Sequence, residues 1–206
     1  MTALRPVTAS GPNVALPTTA QVDAELARER RRRGSGNVLR RTLAILVTVF
    51  AVTVLVSQFL TPMFHVYGTS MEPTLEQGDV VMAWVPGDFS TGDLVAFSFN
   101  NQLLVKRVIA GPGDWVDISS DGTVSVNGQP LAEDYLPQGE KALGTCDIAL
   151  PYQVPDGSYF LMGDHRSTSI DSRSKQMGCV PKEQVVGRLV LRLWPLDRLG
   201  GVASGS

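Results

Sequence analysis

The feature that most constrains this chain is a run of nineteen residues, 42–60, that carries no charge and is built from Leu, Ile, Val, Phe and Ala with a few Thr, Ser and Gln. As a helix rising about 1.5 Å per residue it would be roughly 28 Å long, close to the roughly 30 Å hydrocarbon core of a bilayer. A core helix of a soluble protein normally keeps a polar stripe, and this run has none. Arg28, Arg30, Arg31, Arg32, Arg33, Arg40 and Arg41 precede it, whereas no Lys or Arg occurs between Leu60 and Lys106. The hydropathy and the basic flank predict one transmembrane anchor with a cytoplasmic N-terminus and an outward-facing domain. A nucleic-acid-binding Arg tract ahead of a buried helix is the alternative. A cleaved signal peptide is another, but the run is longer than a usual apolar segment of that kind, and Ser57-Gln58-Phe59-Leu60 offers no small-x-small exit.

The net charge of −2 conceals an asymmetry: residues 1–41 hold eight Arg against three acids, and the remainder ten basic against seventeen acidic residues. An acidic main domain argues against nucleic-acid binding, which needs a basic surface. Residues 1–41 read as a disordered basic cytoplasmic tail, with at most a short helix across residues 22–33. Residues 61–199 form the outward domain, and 200–206 a flexible end.

That domain is expected to be mostly β. Short runs rich in Val, Phe and Leu at 79–86, 93–99 and 103–109 are separated by Gly, Pro, Asn and Asp. Asn100-Asn101 suits a hairpin turn, and Asp121-Gly122 and Asn127-Gly128 bracket Thr123–Val126 as a second hairpin signal. Residues 185–195 alternate with Leu189, Leu191 and Leu193 on one face, and their two Arg residues favour a closing strand over a second membrane span. The two histidines, His65 and His165, lie a hundred residues apart, read as ordinary polar residues, and make no metal cluster with other ligands. Cys146 and Cys179 both fall in the outward domain, so a disulfide between them is expected, with two free thiols as the alternative.

One short stretch could carry chemistry. Gly68-Thr69-Ser70-Met71-Glu72-Pro73 presents a hydroxyl, Ser70, between a flexible Gly and Met71, about ten residues beyond the apolar run. Downstream, Lys106 alternates with Leu104 and Val108 on a predicted strand, while Arg107 points the other way. A lysine acts as a base only when its ammonium is made acidic, and an apolar setting does that by disfavouring the charged form. The plain alternative is that Lys106 and Arg107 form the charged face of an edge strand. The polar segment Gly163-Asp164-His165-Arg166-Ser167-Thr168-Ser169-Ile170-Asp171-Ser172-Arg173 favours a site, because ordering so many hydroxyls and charges in a plain loop is costly.

With these motifs in order, the chain resembles the bacterial type I signal peptidases, membrane-bound Ser/Lys endopeptidases. The resemblance is carried by Ser70-Met71-Glu72-Pro73-Thr74-Leu75, by Gly78-Asp79 and Gly92-Asp93, by Lys106-Arg107-Val108-Ile109-Ala110 with Gly113-Asp114, and by residues 163–173. It implies a β-barrel-like catalytic domain behind a single N-terminal transmembrane helix, with Ser70 as nucleophile and Lys106 as general base. Ser169 would hydrogen-bond the lysine amine, Asp171 and Arg173 would form a supporting ion pair, and Gly163 and Asp164 would shape the wall beside the lysine. The Ser70 N–H would be one oxyanion donor. Some relatives place a hydroxyl two residues before the nucleophile, where this chain has Gly68, and His165, Ser167 and Thr168 replace the Asn or Asp of many relatives.

The resemblance further implies a monomer at a bacterial cell membrane, acting on preprotein signal peptides at the lipid bilayer, with no cofactor and no nucleic acid. From Leu60 to Ser70 the chain spans at most about 35 Å, so the nucleophile would work near the membrane surface. Two rivals stand beside this expectation. One is a sortase-like cysteine transpeptidase built on Leu143-Gly144-Thr145-Cys146, and the other a non-catalytic membrane-tethered binding module. The soluble, self-cleaving repressors share a Ser/Lys pair but need no anchor.

Overall fold

The computed structural model describes residues 18–85 and 87–202, without the side chains of residues 30–35. The chain divides after Thr53 into two compact units. A single helix, α1 (Thr19–Leu60), makes up the described part of the first and extends into the second. It starts at a half capping box: the Thr18 N–H donates to Gln21 Oε1 at 3.0 Å. The helix therefore begins well before the apolar run and takes in the short helix expected within residues 22–33. Within it, the stretch Gly36–Leu60 holds an 18-residue window with a mean hydropathy of 2.5 and none of it buried, the one helix long and apolar enough to cross a membrane among the described residues. Phe50 is 71% and Ile45 63% exposed, so these side chains have no protein cover, unlike those of a core helix.

Beyond the end of α1 the second unit is mostly β. After α1 come β1 (Met63–His65), β2 (Val80–Trp84), β3 (Leu94–Phe99) and β4 (Gln102–Ala110). Then follow β5 (Trp115–Ile118), β6 (Val124–Val126), β7 (Gln129–Pro130), β8 (Tyr152–Gln153) and β9 (Ser158–Met162). The chain ends with β10 (Val180–Pro181), β11 (Val185–Trp194) and β12 (Gly200–Gly201). The larger sheet runs β1-β2-β11-β3-β4-β9-β10 with β12 beside β11, and the smaller one β7-β6-β5-β8. Neither path closes on itself, so the barrel-like closure is not found among the described strands.

Local chemistry explains the corners. Asn100 and Asn101, at φ 48° and 62°, join β3 to β4, and Asn127 with Gly128, at 53° and 77°, joins β6 to β7, the left-handed pair that a two-residue hairpin turn demands. Three of the Gly-Asp pairs share one turn. Gly78, Gly92 and Gly113 have φ of 96°, 93° and 83°, and the following Asp79, Asp93 and Asp114 each accept a backbone N–H from three residues back, at 3.0, 2.9 and 2.8 Å. Each turn launches a strand: β2, β3 and β5.

β11 lies between β2 and β3 and is an inner strand of the larger sheet, not a second membrane span. Gly200–Gly201, expected to fray, pairs with β11 because Val202 packs on the core. Arg107 is paired on both sides, with Leu94 of β3 and Met162 of β9, and Lys106, paired only with Val95, is 3% exposed, so the two do not form a solvated charged face.

Candidate active site

Ser70 sits on a turn pinned from below. Met71 and Leu75, 2% and 0% exposed, insert into the core beside Val81 and Ala83, and the Leu75 N–H donates to the Met71 carbonyl at 2.9 Å. Gly68 begins this turn at φ 83°, a left-handed conformation that glycine adopts at little cost. Ser70 lines a groove of about 700 Å3 with Met63–Gly68, Met71 and Gln102–Val105.

From β4, Lys106 reaches this turn. It stands opposite Val95, is 3% exposed, and its Nζ donates to Ser70 Oγ at 2.6 Å. Burial pushes the Lys106 ammonium down to about 8, against the opposing pull of Asp171 and Asp164 and with some help from Arg173. Among lysines, one that loses its proton this close to neutrality can take a proton from a neighbouring hydroxyl.

Arg107 is also buried, at 1% exposure, rather than facing solvent. Its Nε and Nη2 donate to the two Asp164 oxygens at 2.9 and 2.7 Å, Nη1 donates to the Gly92 carbonyl at 2.8 Å, and the guanidinium lies 3.8 Å from the centre of the Tyr135 ring. Thr74, four residues past Ser70, donates its hydroxyl to Asp164 at 2.5 Å. The segment 163–173 is thereby tied to both β4 and the Ser70 turn.

Asp171 and Arg173 pair as expected, through Arg173 Nε and Nη2 at 2.8 and 2.9 Å. Burial pushes the Asp171 carboxyl up, but the Arg173 guanidinium and the Gly163 N–H outweigh it and hold the carboxyl below its ordinary range. Gly163 admits no side chain: a Cβ there would lie 2.3 Å from Ser169 Oγ and 2.6 Å from the Ser70 carbonyl oxygen. Ser169 is thus packed against Gly163 beside the Ser70 turn. Its Oγ is buried, makes no hydrogen bond among the described residues, and does not contact Lys106 as expected, although it lies close enough to Asp171 to favour that carboxylate.

Several site residues escaped the sequence reading. Arg166, 0% exposed, pairs with Glu133 and donates Nε to the Gly163 carbonyl at 3.1 Å, and Tyr135 donates its hydroxyl to Glu133 at 3.2 Å. These contacts fasten residues 133–143 to the wall across more than twenty positions of sequence, where no local pattern registers. His165 meets the Thr69 carbonyl and Glu140.

The thiols are apart in character. Cys146 and Cys179, expected as a disulfide, are both free. Cys146 is exposed, while Cys179 packs with Tyr152 and Ile148 on the core, where burial pushes its thiol up to about 11.

The pattern has relatives. The family model described as "Signal peptidase, peptidase S26" matches residues 39–194. A signal peptidase I of Bacillus licheniformis is 31% identical over 182 residues, covering 83% of this chain and 97% of that protein. Signal peptidase I P of Bacillus subtilis subsp. natto is 35% identical over the same length and shares. A crystal structure of a signal peptidase I from Enterococcus faecalis V583 aligns with a TM-score of 0.43 at 32% identity, over 50% of this chain and 97% of that one. A match over residues 39–194, together with relatives covered almost end to end, shows that the chain belongs to the signal peptidase family, peptidase S26.

Proposed function

We propose that the protein is a membrane-bound serine endopeptidase that releases signal peptides from exported preproteins, with Ser70 as nucleophile and Lys106 as general base. The observation that carries this reading is the 2.6 Å contact between Ser70 Oγ and an amine buried to 3% exposure. In the resting site Lys106 holds the Ser70 hydroxyl and takes its proton as Oγ attacks the scissile carbonyl. The Ser70 N–H stabilises the resulting oxyanion. Lys106 then returns the proton to the departing amine, giving an acyl-enzyme. A water deprotonated by the same amine hydrolyses the ester and regenerates Ser70.

Substrate geometry follows from the groove. β1 pairs only with β2 among the described strands, and the 102–106 half of β4 only with β3. Both border the groove with unpaired backbone, so an extended peptide adds there as a strand, with its side chains entering a mainly apolar lining. Residues 42–60 serve as the anchor, with residues 1–41 cytoplasmic and 61–199 outside, as the Arg flank favours. Asp171, Arg173, Asp164 and Gly163 support the amine, Met71 pins the turn, and Ser169 fills the space behind it.

The test is cleavage of a preprotein by full-length protein in detergent micelles, read by mass at the junction. Ser70→Ala and Lys106→Met are each expected to abolish it. Processing at the wild-type rate by either variant would refute the assignment.

A further inference from the structure

His165 takes no part in the chemistry just described, yet it grips the Ser70 turn at two points. Its backbone N–H donates to the Ser70 carbonyl at 3.0 Å, and its ring Nδ1 lies 3.1 Å from the Thr69 carbonyl oxygen, which also accepts the Glu72 N–H at 3.1 Å. A carbonyl oxygen only accepts, so Nδ1 carries the hydrogen. Across the ring, Nε2 faces Glu140 Oε1 at 3.8 Å. Glu140 is itself held by the Ser167 N–H at 3.1 Å and the Ser167 hydroxyl at 3.3 Å. The chain neighbours of His165 are engaged elsewhere, Asp164 with Arg107 and Arg166 with Glu133.

The Thr69 carbonyl and the Ser70 N–H are two ends of one peptide group. That group is planar, and in the trans form its C=O and N–H bonds point in opposite directions. The cis peptide bonds among the described residues lie elsewhere, before Pro73, Pro151 and Pro195. Whatever fixes the Thr69 carbonyl therefore fixes the direction of the Ser70 N–H. That N–H donates to no group among the described residues, and Ser70 borders the groove. A hydrogen bond on the carbonyl also polarises the amide and strengthens its N–H as a donor.

We propose that His165 is a positioning residue for oxyanion binding. The imidazole, with Glu140 at its far edge, joins the Glu72 N–H in clamping the Thr69 carbonyl, and the Ser70 N–H is thereby aimed into the groove. This rests on the reading of Ser70 as nucleophile. Gly68 supplies no hydroxyl to share the load, so the direction of one backbone donor matters more here.

The experiment compares full-length wild type with His165→Ala, His165→Asn and Glu140→Gln in detergent micelles. It reads kcat and KM on a preprotein and the affinity for a peptide aldehyde, whose adduct with Ser70 places an oxyanion where the reaction does. His165→Ala is expected to lose about tenfold to a hundredfold in kcat, with KM within about twofold, and aldehyde affinity is expected to fall in parallel. His165→Asn, whose amide N–H can reach the same carbonyl, is expected to recover most of the rate. Glu140→Gln is expected to show a smaller loss, also in kcat. If His165→Ala loses signal-peptide binding altogether it has not folded, and the Asn and Gln variants then carry the test. A His165→Ala kcat within about twofold of wild type, a loss confined to KM, or a folded His165→Asn that loses more than about tenfold in kcat with aldehyde affinity unchanged would overturn the proposal. Ser70→Ala, run alongside, separates the two readings. Cleavage by that variant would refute the nucleophile and this role with it, whereas a silent Ser70→Ala beside an unimpaired His165→Ala would overturn this role alone.

Discussion

Replacing Asp164 by Asn would remove the counter-charge behind the catalytic pair while keeping the side chain's shape. The side chains of Arg107 and Asp164 are each 1% exposed, and the guanidinium spends two N–H groups on the carboxylate at 2.9 and 2.7 Å. An amide offers one acceptor oxygen, and its NH2 group would meet a guanidinium donor on either side, Arg107 Nε or Arg107 Nη2. Removing one partner of a buried ion pair costs about 3–5 kcal/mol. The surviving bond to the Gly92 carbonyl and the Tyr135 ring place this case near the low end, at about 3 kcal/mol. Arg107→Met with Asp164→Leu would remove both charges, and the pair is expected to lose less than Asp164→Asn alone.

The same substitution has a kinetic consequence. Asp164 is the weaker of two carboxylates, after Asp171, that raise the proton affinity of Lys106 against burial. Without it the amine titrates below about 8, so the rising limb of the pH–rate profile moves to lower pH. The sign for stability follows by linkage. A lysine whose folded value lies below its unfolded one costs stability at low pH, and that cost is relieved as pH rises from about 8 toward about 10.4. In Asp164→Asn the relief is expected to start at lower pH. Urea unfolding of the full-length protein in micelles, with pH–rate profiles on a preprotein, measures both. A stability loss under about 1 kcal/mol, or a limb displaced to higher pH, would refute the reasoning.

Gly163→Ala would drive a methyl to 2.3 Å from Ser169 Oγ, and is expected to cost about 1–3 kcal/mol and most of the activity, read by unfolding and preprotein cleavage. Ser169→Ala removes a buried hydroxyl that makes no bond, so stability should change by less than about 1 kcal/mol. A fall in kcat of more than about tenfold at that unchanged stability would assign Ser169 an orienting role during turnover, and an unchanged kcat would assign it packing alone. Alkylation should modify exposed Cys146 quickly and buried Cys179 slowly, and leave cleavage intact. Loss of activity on modifying Cys146 would favour thiol chemistry.

Much of this was legible in the sequence where local chemistry decides. Asn100-Asn101 and Asn127-Gly128 predict their turns because few other residues accept positive φ twice in succession. Residues 42–60 and the spacing of Ser70, Lys106 and Asp171-Ser172-Arg173 were equally plain. What escaped was set by packing over long sequence distances. Arg107 reads from the alternation as pointing away from Lys106, but from Lys106 onward β4 is buried on both faces, so alternation cannot separate inside from outside. Glu133, Tyr135 and Glu140 lie in a stretch without regular strands, and only its closure onto Arg166, Arg107 and His165 makes them part of the wall. The strand-rich composition could not distinguish a closed barrel from two open sheets, because closure depends on which edges meet.

The central claim is that a buried amine, acid enough to be free near neutral pH, activates Ser70. The most direct measurement is the rate at which a serine-directed acylating inhibitor labels Ser70 in the full-length protein in micelles, followed by intact mass across pH. The account predicts a rate that rises with unit slope, levels off near 8, and vanishes in Lys106→Met. A limb near the ordinary lysine value of about 10.4, or labelling of Lys106→Met at the wild-type rate, would contradict it.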